Sequence, residues 1–120
     1  MSMKATIRQV DSVSVVDLSG RITLGEGCSQ LRELIRDLAS KGHKNILLNL
    51  ADVTYIDSSG IGELVSGFTA VSGQGGQLKL LNLTKKVHDL LQITKLLTVF
   101  DVHDDEAKAI ASFGRSAGTA

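Results

Sequence analysis

The chain has one cysteine, no tryptophan, one tyrosine and three phenylalanines, and neither sign of charge is in excess. Each scarcity excludes something. With Cys28 alone, no disulfide can close within the chain, which fits a reducing compartment, so a cytoplasmic location is expected. An aromatic share of 3% leaves no stacking platforms of the single-strand-binding kind, and the core must be built from Val, Ile, Leu and Ala. Thirteen basic and thirteen acidic residues give a formal net charge of +0 and a pI near 6.8, no electrostatic footprint for nucleic acid or an anionic membrane. No apolar run approaches the roughly eighteen residues of a membrane span, and the opening Met1-Ser2-Met3-Lys4-Ala5 is not followed by the apolar stretch of a secretion signal.

What is present is the composition of one folded domain. The 120 residues are 42% hydrophobic and 22% charged, which argues against disorder, and a chain of this size buries roughly two-thirds of its unfolded surface. Thr6 to Val10 and Val13 to Leu18 alternate polar and apolar residues around Asp11-Ser12 and read as a hairpin, with Gly20 closing the second strand. From Glu26 to about Lys41, the residues Cys28, Leu31, Leu34, Ile35 and Leu38 recur at helical spacing, and Gly42 stands where helices stop. Asn45 to Leu50 is almost continuously apolar, the pattern of a strand covered on both faces.

A second helix carries Ile61, Leu64, Val65, Phe68 and Val71, starts just after Ser58-Ser59 and ends at Gly73. Gly75-Gly76 turns into a strand at Gln77 to Leu81, and Thr84 caps a short helix with Val87, Leu90 and Leu91 on its apolar face. Leu97 to Phe100 reads as another strand. Asp104-Asp105-Glu106 then open a last helix to about Phe113, and Gly114 to Ala120 reads as a fraying tail. Two strands followed by alternating helices and strands predict an α/β fold, a mixed sheet with helices on at least one face.

The chemistry concentrates at Tyr55-Ile56-Asp57-Ser58-Ser59-Gly60-Ile61-Gly62, where a buried strand meets a helix whose first turn carries unpaired N–H groups and partial positive charge. Asp57 or Ser58 can cap that helix, a contribution of about 1 kcal/mol. Capping does not account for Gly60 and Gly62, each costing about 1 kcal/mol relative to Ala within a helix. Without side chains they let another backbone or a phosphate come close.

This run resembles the signature of the STAS domain family, in particular its small bacterial antagonists of anti-sigma factors. Leu18-Ser19-Gly20-Arg21-Ile22, the strand Ile46 to Leu50 followed by Asp52, and Gly75-Gly76 before Leu78-Lys79-Leu80 extend the likeness over about residues 5 to 113. The resemblance implies an STAS-type α/β fold, with a mixed, mainly parallel sheet of about five strands covered by about four helices on one side. It further implies a domain over residues 1–113 and a short flexible tail over 114–120. The implied activity is that of a binding protein, not an enzyme, needing no cofactor and no metal. Such an antagonist binds an anti-sigma factor with a histidine-kinase-like serine kinase fold and so frees a sigma factor. The kinase switches it off by phosphorylating the first serine, here Ser58, and a serine phosphatase restores it. The implied contact residues are Asp57, Ser58, Ser59, Gly60 and Gly62 with Gly20, Arg21 and Thr23. Two positions depart from the family pattern: Thr23 stands where many antagonists carry an acid, and Gly67 where a basic residue is usual.

Other chemistries find less support. A hydrolase elbow needs Gly-x-Ser-x-Gly, which is missing, and His43, His88 and His103 show neither triad nor metal spacing. Cys28 lies on an apolar stripe and reads as a buried structural thiol. No phosphate-binding Gly-x-x-x-x-Gly-Lys loop occurs, and Lys85-Lys86 reads as a solvated face or the rim of a protein interface. Beside the phosphorylation-switched antagonist stand two further readings: an adaptor or scaffold subunit of a transporter or signalling assembly whose Ser58 is only a helix cap, and a small enzyme.

Overall fold

The hairpin forms where the sequence places it. In the computed structural model, which describes residues 3–118, β1 (Met3–Val10) and β2 (Val13–Ile22) pair antiparallel with Val10 opposite Val13, and Asp11 takes the positive φ of 56° that the tight turn requires. β2 runs past Gly20 to Ile22. The irregularity sits inside the strand, where the register against the next strand shifts around Ser19 and again between Gly20 and Arg21, with Gly20 at φ 94°.

Chain order then builds α1 (Glu26–Ser40), β3 (Asn45–Ile56), α2 (Ser58–Gly73), β4 (Gln77–Leu81), α3 (Lys85–Ile93), β5 (Val102–His103) and α4 (Glu106–Gly118). The five strands lie in the order β1-β2-β3-β4-β5, all neighbours parallel except the first pair. β3 explains the layering. Ile46, Leu48 and Leu50 point into a core shared with Leu31, Ile35 and Leu38 of α1, Leu64 of α2 and Val87 and Leu91 of α3. Leu47 points the other way, into a second core with Val13, Val15, Leu81, Ala109 and Phe113. The sheet is therefore covered on both faces, α1, α2 and α3 on one and α4 on the other, where one covered side was expected.

Two further expectations are corrected. Leu97 to Phe100 is not a strand: Leu97–Val99 forms a single tight helical turn, and the strand follows at Val102–His103. The apolar residues there pack instead of pairing, for Leu97 lies against the larger core and the buried Phe100 ring meets Phe68 edge-on at 5.4 Å. The last helix continues beyond Phe113 to Gly118, so the expected tail is helical over 114–118, and its residues 119–120 lie outside those described.

A polar clamp holds α4 to its face. Arg8 donates to both oxygens of Asp17 (2.6 and 3.0 Å) and of Glu106 (2.8 and 3.1 Å), linking β1, β2 and α4. Beneath the helix Lys79, only 6% exposed, donates to Ser112 Oγ at 2.7 Å, pairs with Asp101 at 3.0 Å and sits 4.8 Å from the Phe113 ring centre.

The parallel arrangement carries the carboxyl ends of β2 and β3 to one edge of the sheet, with Ile22 beside Ile56, while β4 stops alongside Asn49; loops that follow parallel strands in this direction are where binding sites form in open α/β sheets.

Candidate functional site

Ile56 ends β3 in the core, and Asp57, in extended conformation, breaks the strand and starts α2. Its carboxylate divides between two tasks. One oxygen accepts from the Gly60 N–H at 2.8 Å and caps the helix, while the other accepts from the Leu24 N–H at 3.0 Å and ties down the loop after β2. Partial burial pushes the Asp57 carboxyl up, but the N–H groups of Leu24, Gly60 and Ser59 outweigh it and hold the group below the usual carboxylate range. The cap is thus Asp57. Ser58 is left exposed at the first position of the helix, with its side chain outside the cap, and Ser59 is half-buried beside it.

The two glycines part company. A Cβ on Gly60 would stand 2.3 Å from the Ile22 carbonyl oxygen and 2.6 Å from Ile56 Cγ1, so this glycine lets β2 and α2 touch. A Cβ on Gly62 would meet nothing within 4 Å, and that position faces open space. Gly27 was not singled out from the sequence, yet a Cβ there would lie 2.7 Å from the Arg21 carbonyl oxygen. It lets α1 start hard against β2.

Of the expected contact residues, Asp57, Ser58, Ser59 and Gly62 gather with the loop after β2. Leu24 and Gly25 line the same groove between the starts of α1 and α2 as Ser59 and Gly62. Thr23, half-buried, accepts from the Cys28 N–H at 3.1 Å through its carbonyl and so shapes the first turn of α1. Gly20 and Gly60 have structural duties, a bulge with positive φ and a helix–strand contact. Leu24 escaped the sequence reading although it is 77% exposed, more than Tyr55 at the same edge. Its signal was present, an isolated Leu between Thr23 and Gly25 off the stripe of the following helix.

At the far end of the same edge Tyr55, paired with Arg21 across β2 and β3, carries Arg21 Cζ 5.2 Å and Lys86 Nζ 5.3 Å from its ring centre. Cys28 is buried, as expected, and burial together with the nearby Asp57 and Glu63 charges pushes its thiol up, which suits a structural role. Gly67, where a basic residue was expected, faces α1: a Cβ there would come 2.6 Å from Ile35 Cδ1. A side chain there would require the end of Ile35 to move aside.

Asp101, His103 and Ser112 also approach one another, a set that the sequence did not flag. The same His103 nitrogen, Nε2, faces both Asp101 (3.1 Å) and Ser112 (3.5 Å), and Ser112 Oγ donates to the Ala109 carbonyl at 2.6 Å. A proton relay needs opposite ring nitrogens on the two partners, so this cluster anchors α4. Among the described residues no group of three or more His, Cys, Asp or Glu is placed to hold a metal ion, and no helix is long and apolar enough to cross a membrane.

Comparison with known proteins agrees with this geometry. The pattern of the STAS domain matches residues 4–109, and the chain belongs to that family. It is 34% identical over 102 residues to the anti-sigma-B factor antagonist of Bacillus subtilis (strain 168), spanning 85% of this chain and 92% of that protein. The crystal structure of TM1081 from Thermotoga maritima superposes with a TM-score of 0.84 at 25% identity, over 91% of this chain and 93% of the other. The Bacillus cell-fate determinant SpoIIAA in its phosphorylated form shares the fold at 22% identity, with a TM-score of 0.72 over 91% and 98% of the two chains.

Proposed function

We propose that this protein is an anti-sigma factor antagonist, a binding protein without catalytic activity of its own, and that phosphorylation of Ser58 switches it off. One observation carries the reading: the Asp57 carboxylate supplies the side-chain cap of α2, and Ser58 stands exposed at the first position of the helix, outside that cap. A serine that served only as a cap would occupy the Asp57 position. Around Ser58 lie the features of a docking surface, an exposed Leu24 and a Gly62 open to close approach.

In this reading the partner is an anti-sigma factor with a histidine-kinase-like serine kinase fold. It transfers the γ-phosphoryl group of a bound nucleoside triphosphate to Ser58 Oγ, forming the O–P bond and releasing the diphosphate, and a phosphatase hydrolyses the ester. The added charge is about −1.5 to −2, and a helix N-terminus tolerates it, so the fold survives the modification. The interface does not. A surface that covered a neutral hydroxyl must now cover a dianion next to the ionised Asp57, at a cost of about 3 kcal/mol or a hundredfold in affinity.

The test is a pull-down from native lysate with wild type and Ser58→Asp as parallel baits, followed by mass spectrometry. Retention of a kinase-like anti-sigma factor by wild type alone is the expected outcome. Equal retention of the same proteins by both baits would overturn the switch and favour an adaptor role.

A further inference from the structure

We infer that Arg21, Tyr55 and Lys86 form a cationic rim at the far end of the sheet edge that carries Ser58, and that this rim receives an acidic side chain of the partner. The inference rests on the antagonist reading for the partner's identity, but its chemistry comes from this edge of the sheet alone. Arg21 lies one residue before the end of β2 and Lys86 in the first turn of α3, two elements far apart in sequence, yet both cations converge on the one Tyr55 ring, at 5.2 and 5.3 Å from its centre. Among the described residues neither forms an ion pair. Lys4, Arg36, Lys44, Lys95 and Lys108 likewise form none among the described residues, but of these unpaired cations Arg21 and Lys86 are the two that share an aromatic ring. The Asp57 charge, two residues along the chain, is already engaged by backbone N–H groups.

Two like charges held against one exposed ring with no counter-charge make a local positive site on a chain whose net charge is zero. The complement is a carboxylate, which a guanidinium can hold in the plane of its fork while the ammonium adds a second contact. A nucleic acid would need a longer basic track than two residues provide.

Tyr55 is the only tyrosine and there is no tryptophan, so the intrinsic fluorescence of the protein reports this rim directly. The test titrates the full chain with acetylated hexaglutamate amide, hexalysine and a thymidine decamer as probes. Hexaglutamate is expected to change Tyr55 emission saturably. The effect should weaken about tenfold in the Arg21→Ala/Lys86→Ala double variant, and on raising salt from about 0.1 M to about 1 M, where the screening length falls from about 10 Å to about 3 Å. The Arg21→Glu/Lys86→Glu variant should exchange hexaglutamate for hexalysine, a reversal that a structural role for these exposed side chains would not produce. No response to hexaglutamate, an unchanged response in the double variants, or tighter binding of the decamer would overturn the inference.

The pull-down separates it from the broader proposal. An anti-sigma factor lost from Ser58→Asp yet kept at wild-type affinity by Arg21→Glu/Lys86→Glu would overturn the rim and leave the switch standing. A cation-dependent peptide response with no anti-sigma factor retained by wild type would support the rim and remove the antagonist reading.

Discussion

Gly60 and Gly62 were a single puzzle in the sequence, two helix-weakening residues in one turn, and the structure separates them by what a methyl group would touch. At Gly60 the methyl would overlap a carbonyl oxygen at 2.3 Å, so Gly60→Ala should lower stability by about 1–3 kcal/mol, read from the midpoint of urea denaturation. At Gly62 it would meet nothing, so Gly62→Ala should raise stability by up to about 1 kcal/mol in the same assay while weakening partner retention. Asp57 makes a complementary case. Removing its carboxylate strips an acceptor from the Gly60 and Leu24 N–H groups together, and Asp57→Ala should cost about 2 kcal/mol, toward the upper end for a helix cap. Asp57 as a possible cap was legible in the sequence, because Asp before a glycine-rich turn admits few other readings. Its second bond, to the loop after β2, was not, since nothing local to residue 57 encodes a partner 33 residues away.

At the scale of elements, periodicity located α1, α2 and α3 to within a few residues and revealed the first half of β3, Asn45 to Leu50, as buried on both faces, but missed its half-exposed continuation to Ile56. It failed at Leu97 to Phe100, where an apolar run of β-formers packs onto the helical side instead of pairing, because Phe68 and the larger core compete for the same side chains. The side on which α4 lies was equally hidden: only the opposite pointing of Leu47 against Ile46 and Leu48 decides it, and both sets are apolar. α4 offers two contrasting substitutions. Phe113 is fully buried between helix and sheet, and Phe113→Ala should cost about 3–5 kcal/mol. Lys79→Met should stay within about 1 kcal/mol of wild type, since the thioether keeps the contact with Phe113 and the abandoned Asp101 carboxylate is more than half exposed. Chemical denaturation of both variants beside wild type checks the contrast.

For the whole molecule, four carboxylates that tie separate parts of the chain together, Asp17, Asp57, Asp101 and Glu106, share one direction of response to acid. Asp17 and Glu106 are held below their ordinary range chiefly by the Arg8 guanidinium. At Asp101 burial pulls the other way, but Lys79 and His103 prevail, and Asp57 follows for the reasons given above. A depressed carboxyl lends stability that is complete above its unfolded value and disappears as pH falls through the folded one. Stability should therefore hold level from neutrality down to about pH 5 and decline below about pH 4, with Arg8→Ala flattening that decline. Urea midpoints across this range measure it. The double engagement of the Asp57 carboxylate has one more consequence, for time rather than stability. Because the two loops that frame Ser58 are already fastened to each other, a partner finds its landing surface assembled, and complex formation need not wait for any segment to order. Encounter can then proceed at the rate that diffusion and charge steering allow.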